Sequence, residues 1–448
     1  MLSKIPFGLF LVLLTTIFFS CATKKKIKHH KNTINLSYRP KNVKIYEQTS
    51  KETLGPCEPS IFISPKNPNN IVAGSVLDYV HTSNDGGTTW ETKKLRSKYG
   101  IWGDPTVLGD SKGNFYYFHL SDPEGTNWKS DQILDRIVVQ KSTDNGNTWS
   151  EGIGIGLNTP KQQDKQWALI HPKKENQLYT AWTEFDAYNS ANENDKSRIL
   201  FSKSNDSGTN WLPPVKIGNQ EGGCLDNDLT PEGTTLTSDK KNLYISWAYD
   251  SKIWFSKSIN NGSTWSKETA IADQPNGWKY EIKNVTRCNG FPVMASDLST
   301  SKYKGTIYVN WSSQINENQT DIFISKSIDE GKTWSTAKTI YSDPNKSHHF
   351  FNWMSIDPKT GYIYIVYYKE TTPNSYLIEV HLAVSRNGSR SFSDYIISKN
   401  PFSPKGTNFF GDYNNINVYN DMVRPIWTQV QNGFVSVWTA LINEQDLK

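Results

Sequence analysis

The stretch Ser83-Asn84-Asp85-Gly86-Gly87-Thr88-Thr89-Trp90 decides how this chain folds. The pattern returns at Ser142 to Trp149, Ser204 to Trp211, Ser258 to Trp265 and Ser327 to Trp334, and more loosely at Ser385 to Phe392. From one terminal aromatic to the next, the steps are 59, 62, 54, 69 and 58 residues. The third position is Asp85, Asp144, Asp206 or Asp329 in four copies and Asn260 or Asn387 in two. Such a side chain accepts backbone N–H bonds within a tight turn, and the glycine behind it tolerates a left-handed conformation. A β-rich run precedes each copy, such as Ile137-Val138-Val139-Gln140 or Ile253-Trp254-Phe255. Each copy therefore reads as a hairpin turn, and six at near-constant spacing mark a repeat architecture.

These turns resemble the Asp box. From about residue 55 to 440 the chain resembles the Asp-box (BNR-repeat) propellers, the superfamily that includes sialidases, and most of all the sialidase-like lipoproteins of bacterial envelopes. The resemblance implies an all-β propeller of four-stranded blades. Innermost strands are expected to begin near Glu58-Pro59-Ser60, Asp104-Pro105-Thr106, Gln166-Trp167-Ala168, Glu232-Gly233-Thr234, Phe291-Pro292-Val293, Trp353-Met354-Ser355 and Asp412-Tyr413-Asn414. Seven starts against six boxes favour seven blades, with six as the alternative. The last blade lacks a box, and the run Val43-Lys44-Ile45-Tyr46 is expected to supply its missing outer strand, leaving no open edge.

The composition agrees with this reading. The 448 residues include 16 Trp, 22 Tyr and 19 Phe, an excess that suits pleated, packed sheets. Of the 49 Lys and Arg, nine fall within residues 1–44, which hold no acid, leaving 40 against 44 acidic residues in the remainder. The folded part is slightly acidic, so nucleic-acid binding loses its electrostatic basis.

Residues 1–20 read as an export signal, with Lys4 before an apolar stretch too short to span a bilayer comfortably. Phe18-Phe19-Ser20-Cys21 resembles a bacterial lipobox, which implies acylation of Cys21 and an outer-membrane lipoprotein; the side of the membrane stays open. Residues 21–42 read as a basic, flexible tether and residues 43–448 as a single propeller domain, expected to be monomeric. Export permits a disulfide, and Cys224 with Cys288, in consecutive lead-in segments, is the expected pair; Cys57 is left over. No CxxC or HExxH spacing occurs. No cofactor or catalytic metal is expected, though a structural cation on the axis is compatible with the acids there.

In such a propeller the boxes share one face, and the segments leading into the innermost strands surround the axis on the other. Those segments carry Glu58, Trp102, Asp104, Asp164, Asp226, Asp228, Glu232, Arg287, His348, His349, Trp353, Asp412 and Tyr413. Loops at 120–135 and 183–197 should rise on the same face. Carboxylates among aromatics suit a sugar ring and glycosidic bond cleavage. The plainer alternative is that these acids cap backbone N–H groups.

In sialidases three arginines clamp the substrate carboxylate, a Tyr beside a Glu is the nucleophile, and an Asp is the acid/base. This sequence departs from that pattern: it has no Arg-Ile-Pro triplet, and only Arg287 lies plainly in a lead-in segment, with Arg136 and Arg198 at loop ends. Tyr413 with Asp412, and Glu232 from another blade, are the candidate nucleophile group, with Asp104 a further catalytic acid. Arg287, Glu58, Trp102, Asp164, His348, His349 and Trp353 are candidate substrate contacts. The expected function is glycoside hydrolysis of an acidic or complex glycan. Two alternatives stand beside it. One is a non-catalytic propeller that binds a glycan or protein, and the other is a polysaccharide lyase with the His348-His349 pair as base and Arg287 neutralising a uronate.

Overall fold

A computed structural model describes residues 33–35, 38–51, 54–341, 343–405 and 409–447. The export signal, Cys21 and the first part of the basic stretch lie outside the described residues.

The chain forms a seven-bladed β-propeller. In blades one to five, four consecutive antiparallel strands run outward from the axis, as in blade three with Gln162–Ile170, Leu178–Phe185, Ser197–Ser204 and Val215–Lys216. Blade seven takes three strands from the C-terminus, Asn415–Tyr419, Met422–Gln431 and Phe434–Asn443. Its outer strand is Lys41–Glu47, antiparallel to the last of them, so the expected closure forms. Residues before Val43 are also drawn in. Thr33–Asn35 lies parallel to Ser393–Tyr395 and becomes a fifth strand of blade six.

The box residues explain the outer turns. In the first box Gly87 N donates to Ser83 Oγ (2.9 Å), Thr89 N donates to Asp85 Oδ1 (2.9 Å) and Trp90 Nε1 donates to the Gly87 carbonyl (2.9 Å). Positions four and five are left-handed in every copy, from Gly86 and Gly87 to Gly388 and Ser389. The loose sixth box therefore keeps the geometry, with Ser389 N donating to Ser385 Oγ at 3.0 Å. The aromatic at the end leans on the preceding blade: Trp211 on Phe118, Trp265 on Phe201 and Trp334 on Phe255, with ring centroids 5.0–5.9 Å apart.

Each blade is sandwiched between two others, so its second strand is buried on both faces and loses the polar–apolar alternation of a half-exposed strand. Leu178–Phe185 and Ile363–Glu370 are buried at every position. Trp182, Trp247 and Trp311 stand at the same place in the second strands of blades three, four and five and are almost fully buried. Burying each such ring contributes on the order of 2–3 kcal/mol and sets the spacing between blades.

Candidate active site on the propeller axis

Irregular backbone builds the site. Five innermost strands carry a residue in the left-handed region, just before the strand at Glu58 (φ 50°) and Asp104 (φ 51°) and within its first residues at Lys165 (φ 54°), Gly233 (φ 70°) and Phe351 (φ 51°). Each stands two residues before a regularly paired one, namely Ser60, Thr106, Trp167, Thr235 and Trp353. In blades three, four and six the pairing slips at this point, as a β-bulge does. A bulge re-aims the side chains beside it, and here a strained residue is held in place by the sheet behind it.

Three of the five are charged and meet on the axis. Lys165 Nζ lies 2.5 Å from Asp412 Oδ2, 3.2 Å from Asp104 Oδ2 and 3.7 Å from Glu58 Oε1. Arg287 grips the other side of Asp412, with Nε donating to Oδ1 at 2.8 Å and Nη2 donating to Oδ2. Asn289 Nδ2 donates to the Asp412 carbonyl at 2.9 Å. Burial opposes ionisation of Asp412, yet the Arg287 and Lys165 charges hold its carboxyl well below the usual range. Asp412 is thus a fixed anion that positions two cations, and it is not available to carry a proton. Glu58 is pushed upward by burial and, against the pull of Lys165, by the Asp104 and Asp412 charges.

Above this cluster lies a pocket of about 210 Å³, with Glu58, Asp104, Asp164, Lys165 and Arg287 in its lining and Trp102, Trp128, Tyr188 and Phe409 as aromatic walls. Trp128 and Tyr188 come from the two long loops expected on this face, their rings 5.2 Å apart, and Trp102 meets Trp128 edge-on at 5.8 Å. Asp164 has no ion-pair partner among the described residues, and burial, followed by the Asp104 charge, pushes it up to about 7. Glu232 is raised well above its usual range by burial and then by Asp164. The Tyr188 phenol is raised by burial and then by the Asp164 and Glu232 charges.

A second, smaller cavity adjoins the pocket through Asp104 and Lys165. It measures about 40 Å³ and is lined by Trp167, Trp353 and Tyr413 among others, with Trp167 and Trp353 only 4.2 Å apart. Tyr413 packs on both indoles, and its hydroxyl donates to the Pro105 carbonyl at 3.4 Å. Tyr413 and Trp353 therefore line this smaller cavity, together with Asp104, Lys165 and Asp412, and not the pocket that holds Asp164.

Other expectations need correction. His348 and His349 do not reach the pocket. His348 Nδ1 is 2.9 Å from Thr320 Oγ1, while His349 lies 3.1 Å from Asp321 and 3.5 Å from Asp343, both histidines buried between blades five and six. No arginine triad assembles among the described residues. Arg136 is bonded to Asp135 and lies over Tyr99, and Arg198 is held by Glu184, Asp186 and Glu221. Asp228 caps the Ser251 and Trp278 N–H groups, the plainer role allowed for these acids. Cys224 and Cys288 are free thiols, as is Cys57. Cys288 belongs to the Val285–Asn289 strand of an extra hairpin, opposite Tyr280, and shares a buried cluster with Cys57, of which Cys224 is not a member.

Lys165 was not anticipated. Aligning the starts by the onset of apolar residues puts Gln166 where Lys165 belongs, one residue off. Aligning by the first regularly paired residue, Ser60 with Thr106 and Trp167, is the signal that finds it. Among the described residues no group of three or more His, Cys, Asp or Glu is arranged to hold a metal ion. The positive charge among Glu58, Asp104 and Asp412 is the Lys165 ammonium.

The boxes and the seven blades define an Asp-box β-propeller. No family model matches the chain. A sialidase of Bacteroides fragilis is 32% identical over 108 residues, which is 20% of this chain and 19% of that protein, so the likeness spans under a fifth of the relative's length. Among solved structures, an ulvan lyase from a new family of polysaccharide lyases covers 90% of this chain and 96% of its own, with 11% identity and a TM-score of 0.53. An α-L-arabinofuranosidase from Fusarium graminearum covers 91% and 98%, with 12% identity and a TM-score of 0.48. These structural likenesses concern the fold.

Proposed function

We propose that this propeller cleaves glycosidic bonds of an acidic or complex glycan in the axial pocket, with Asp164 as the group that exchanges a proton. One observation carries the reading: within one aromatic-walled pocket, Asp104 has an ammonium partner 3.2 Å away while Asp164 has none and is poised at about 7. Two acids in such unlike surroundings are what acid–base work on a glycosidic bond requires. Tyr188 lines the same pocket as Asp164, and Trp102 and Trp128 offer faces to a sugar ring. The absent arginine triad counts against a sialoside as the substrate. The ulvan lyase, determined in one structure with a glucuronate-containing saccharide, shares the fold and brings uronate polysaccharides into the panel to be tested.

The test is a screen of the purified protein against fluorogenic glycosides, sialosides included, and uronate polysaccharides. Reducing-sugar release that disappears in Asp164→Asn supports the proposal. Unsaturated products absorbing in the ultraviolet would replace it with the lyase reading, and binding without turnover would replace it with a non-catalytic one. We further propose that Cys21 is acylated and holds the protein to the outer membrane; Cys21→Ala should move it from the detergent phase to the soluble fraction.

A further inference from the structure

The rim around the axial pocket is uneven. On blade two the second and third strands are joined by residues 121–136, and on blade three by residues 186–196. The Lys279–Asn289 hairpin stands between blades four and five. On blade one the whole hairpin of second and third strands runs only from Ile71 to Ser83, shorter than the Leu243 to Ser258 hairpin of blade four and shorter than those of the other blades. The wall is lowest there, and the pocket continues sideways across it.

The continuation is a cleft of about 780 Å³ that shares Leu54 and Leu77 with the axial pocket. Tyr79, Lys94 and Arg96 line its far part. Lys94 Nζ is 2.8 Å from Asp78 and 4.7 Å from the Tyr79 ring centroid, so its charge is already partnered. Arg96 is exposed and makes no ion pair among the described residues. The axial pocket is small for a ligand site, whereas the cleft falls within the usual range of about 300–1,000 Å³.

From this continuity we infer that the cleft over blade one is a second stretch of the same binding site, which takes the remainder of a polymeric, anionic glycan whose reacting unit sits on the axis. The inference rests on the glycan reading of the axial pocket and sharpens it: a site open at one side holds the reacting unit on the axis and lets the rest of a long chain run out over blade one. Leu54 and Leu77 form a saddle for the apolar face of a sugar, and the Arg96 guanidinium meets a carboxylate or sulfate beyond it.

The test uses oligogalacturonates of one to eight residues as probes. Calorimetry is run on the protein and on Arg96→Glu, both carrying Asp164→Asn so that ligand is not consumed. Affinity should rise about tenfold or more between the dimer and the hexamer, the factor of one charge-assisted hydrogen bond, and Arg96→Glu should remove the rise while leaving monomer and dimer binding unchanged. Length-independent affinity, or a rise that survives Arg96→Glu, overturns the cleft and leaves axial cleavage standing. A length-dependent rise in a protein without turnover keeps the cleft and withdraws cleavage. No binding of any oligomer overturns the inference.

Discussion

Lys165 and Asp412 come from blades three and seven, yet Lys165 Nζ lies 2.5 Å from Asp412 Oδ2 across the axis. Lys165 also faces Asp104 and Glu58, so one ammonium ties together the lead-ins of four blades. Removing one member of a buried ionic group leaves the others uncompensated, which costs far more than the group contributes as a whole. Lys165→Met should therefore lower the unfolding free energy by about 3–5 kcal/mol in urea titrations. Lys165→Met with Asp412→Asn should lose less than the two single changes together. An additive result would show that the contact carries no coupling.

The pH profile should follow Asp164. Its folded value of about 7 stands above the ordinary carboxyl value, so the proton stays bound at mildly acidic pH. If cleavage needs that proton, kcat should fall as pH rises through about 7, and Asp164→Asn should abolish the acid-dependent activity. For stability the sign is the same. The contribution is complete below the unfolded carboxyl value and is lost as pH climbs to 7, so Asp164→Asn should raise Tm at pH 8 more than at pH 4.

A second titration belongs to blade six. His381 Nδ1 lies 2.8 Å from Asp394 Oδ2, with Glu379 at 3.8 Å from the other nitrogen. Burial favours the neutral ring, but the Asp394 charge outweighs it and the His381 pKa is raised. A raised histidine stabilises fully below its unfolded value of about 6.5, and that stability is lost as pH rises through the folded value. Tm should decline from pH 6 upward, and His381→Asn should flatten that slope. An unchanged slope would mean that the pair does not titrate in this window.

The two tyrosines should separate. Tyr188→Phe removes a hydroxyl from the wall of the pocket that Asp164 also lines, and should reduce kcat/KM by about tenfold or more. Tyr413→Phe removes a hydroxyl whose bond to the Pro105 carbonyl is long and lies outside the pocket that holds Asp164, and should leave kcat/KM within about twofold. Equal losses in both would return Tyr413 to the reacting centre.

The boxes offer a test of close packing. Gly208 and Gly262 both occupy position five of a box, at φ 83° and 77°. A Cβ at Gly262 would stand 2.3 Å from the Phe201 ring, whereas at Gly208 its nearest neighbour would be 3.7 Å away. Gly208→Ala should cost about 1 kcal/mol for the left-handed backbone alone, and Gly262→Ala about 1–3 kcal/mol more for overpacking, measured by urea unfolding.

The boxes were legible in the sequence because their chemistry is local: a Ser, an Asp and a Gly complete the turn within eight residues. Seven blades were legible for a related reason, since inner-strand starts recur between the boxes, most plainly as apolar runs such as Ser60–Ile63 and Val293–Ser296. The site was harder to read. A β-bulge inserts a residue without disturbing hydrophobic onset, so Gln166 stood in for Lys165 and Trp353 for Phe351. The long loops after Leu120 and Phe185 were visible as loops, but which of their side chains turn back over the axis, Trp128 and Tyr188, depends on tertiary packing. His348 and His349 share a lead-in segment with true axial residues, yet the bulge at Phe351 separates them from the axis.

The N-terminal strands also have a mechanical consequence. Thr33–Asn35 is held to blade six by a parallel ladder only three residues long, while Lys41–Glu47 is woven into blade seven, with Asn42 Nδ2 also donating to the Ile397 carbonyl at 2.8 Å. Tension arriving from the N-terminal side reaches the short ladder first. That ladder works as a fuse: it lets go and dissipates the load, and the ring of seven blades stays locked behind it.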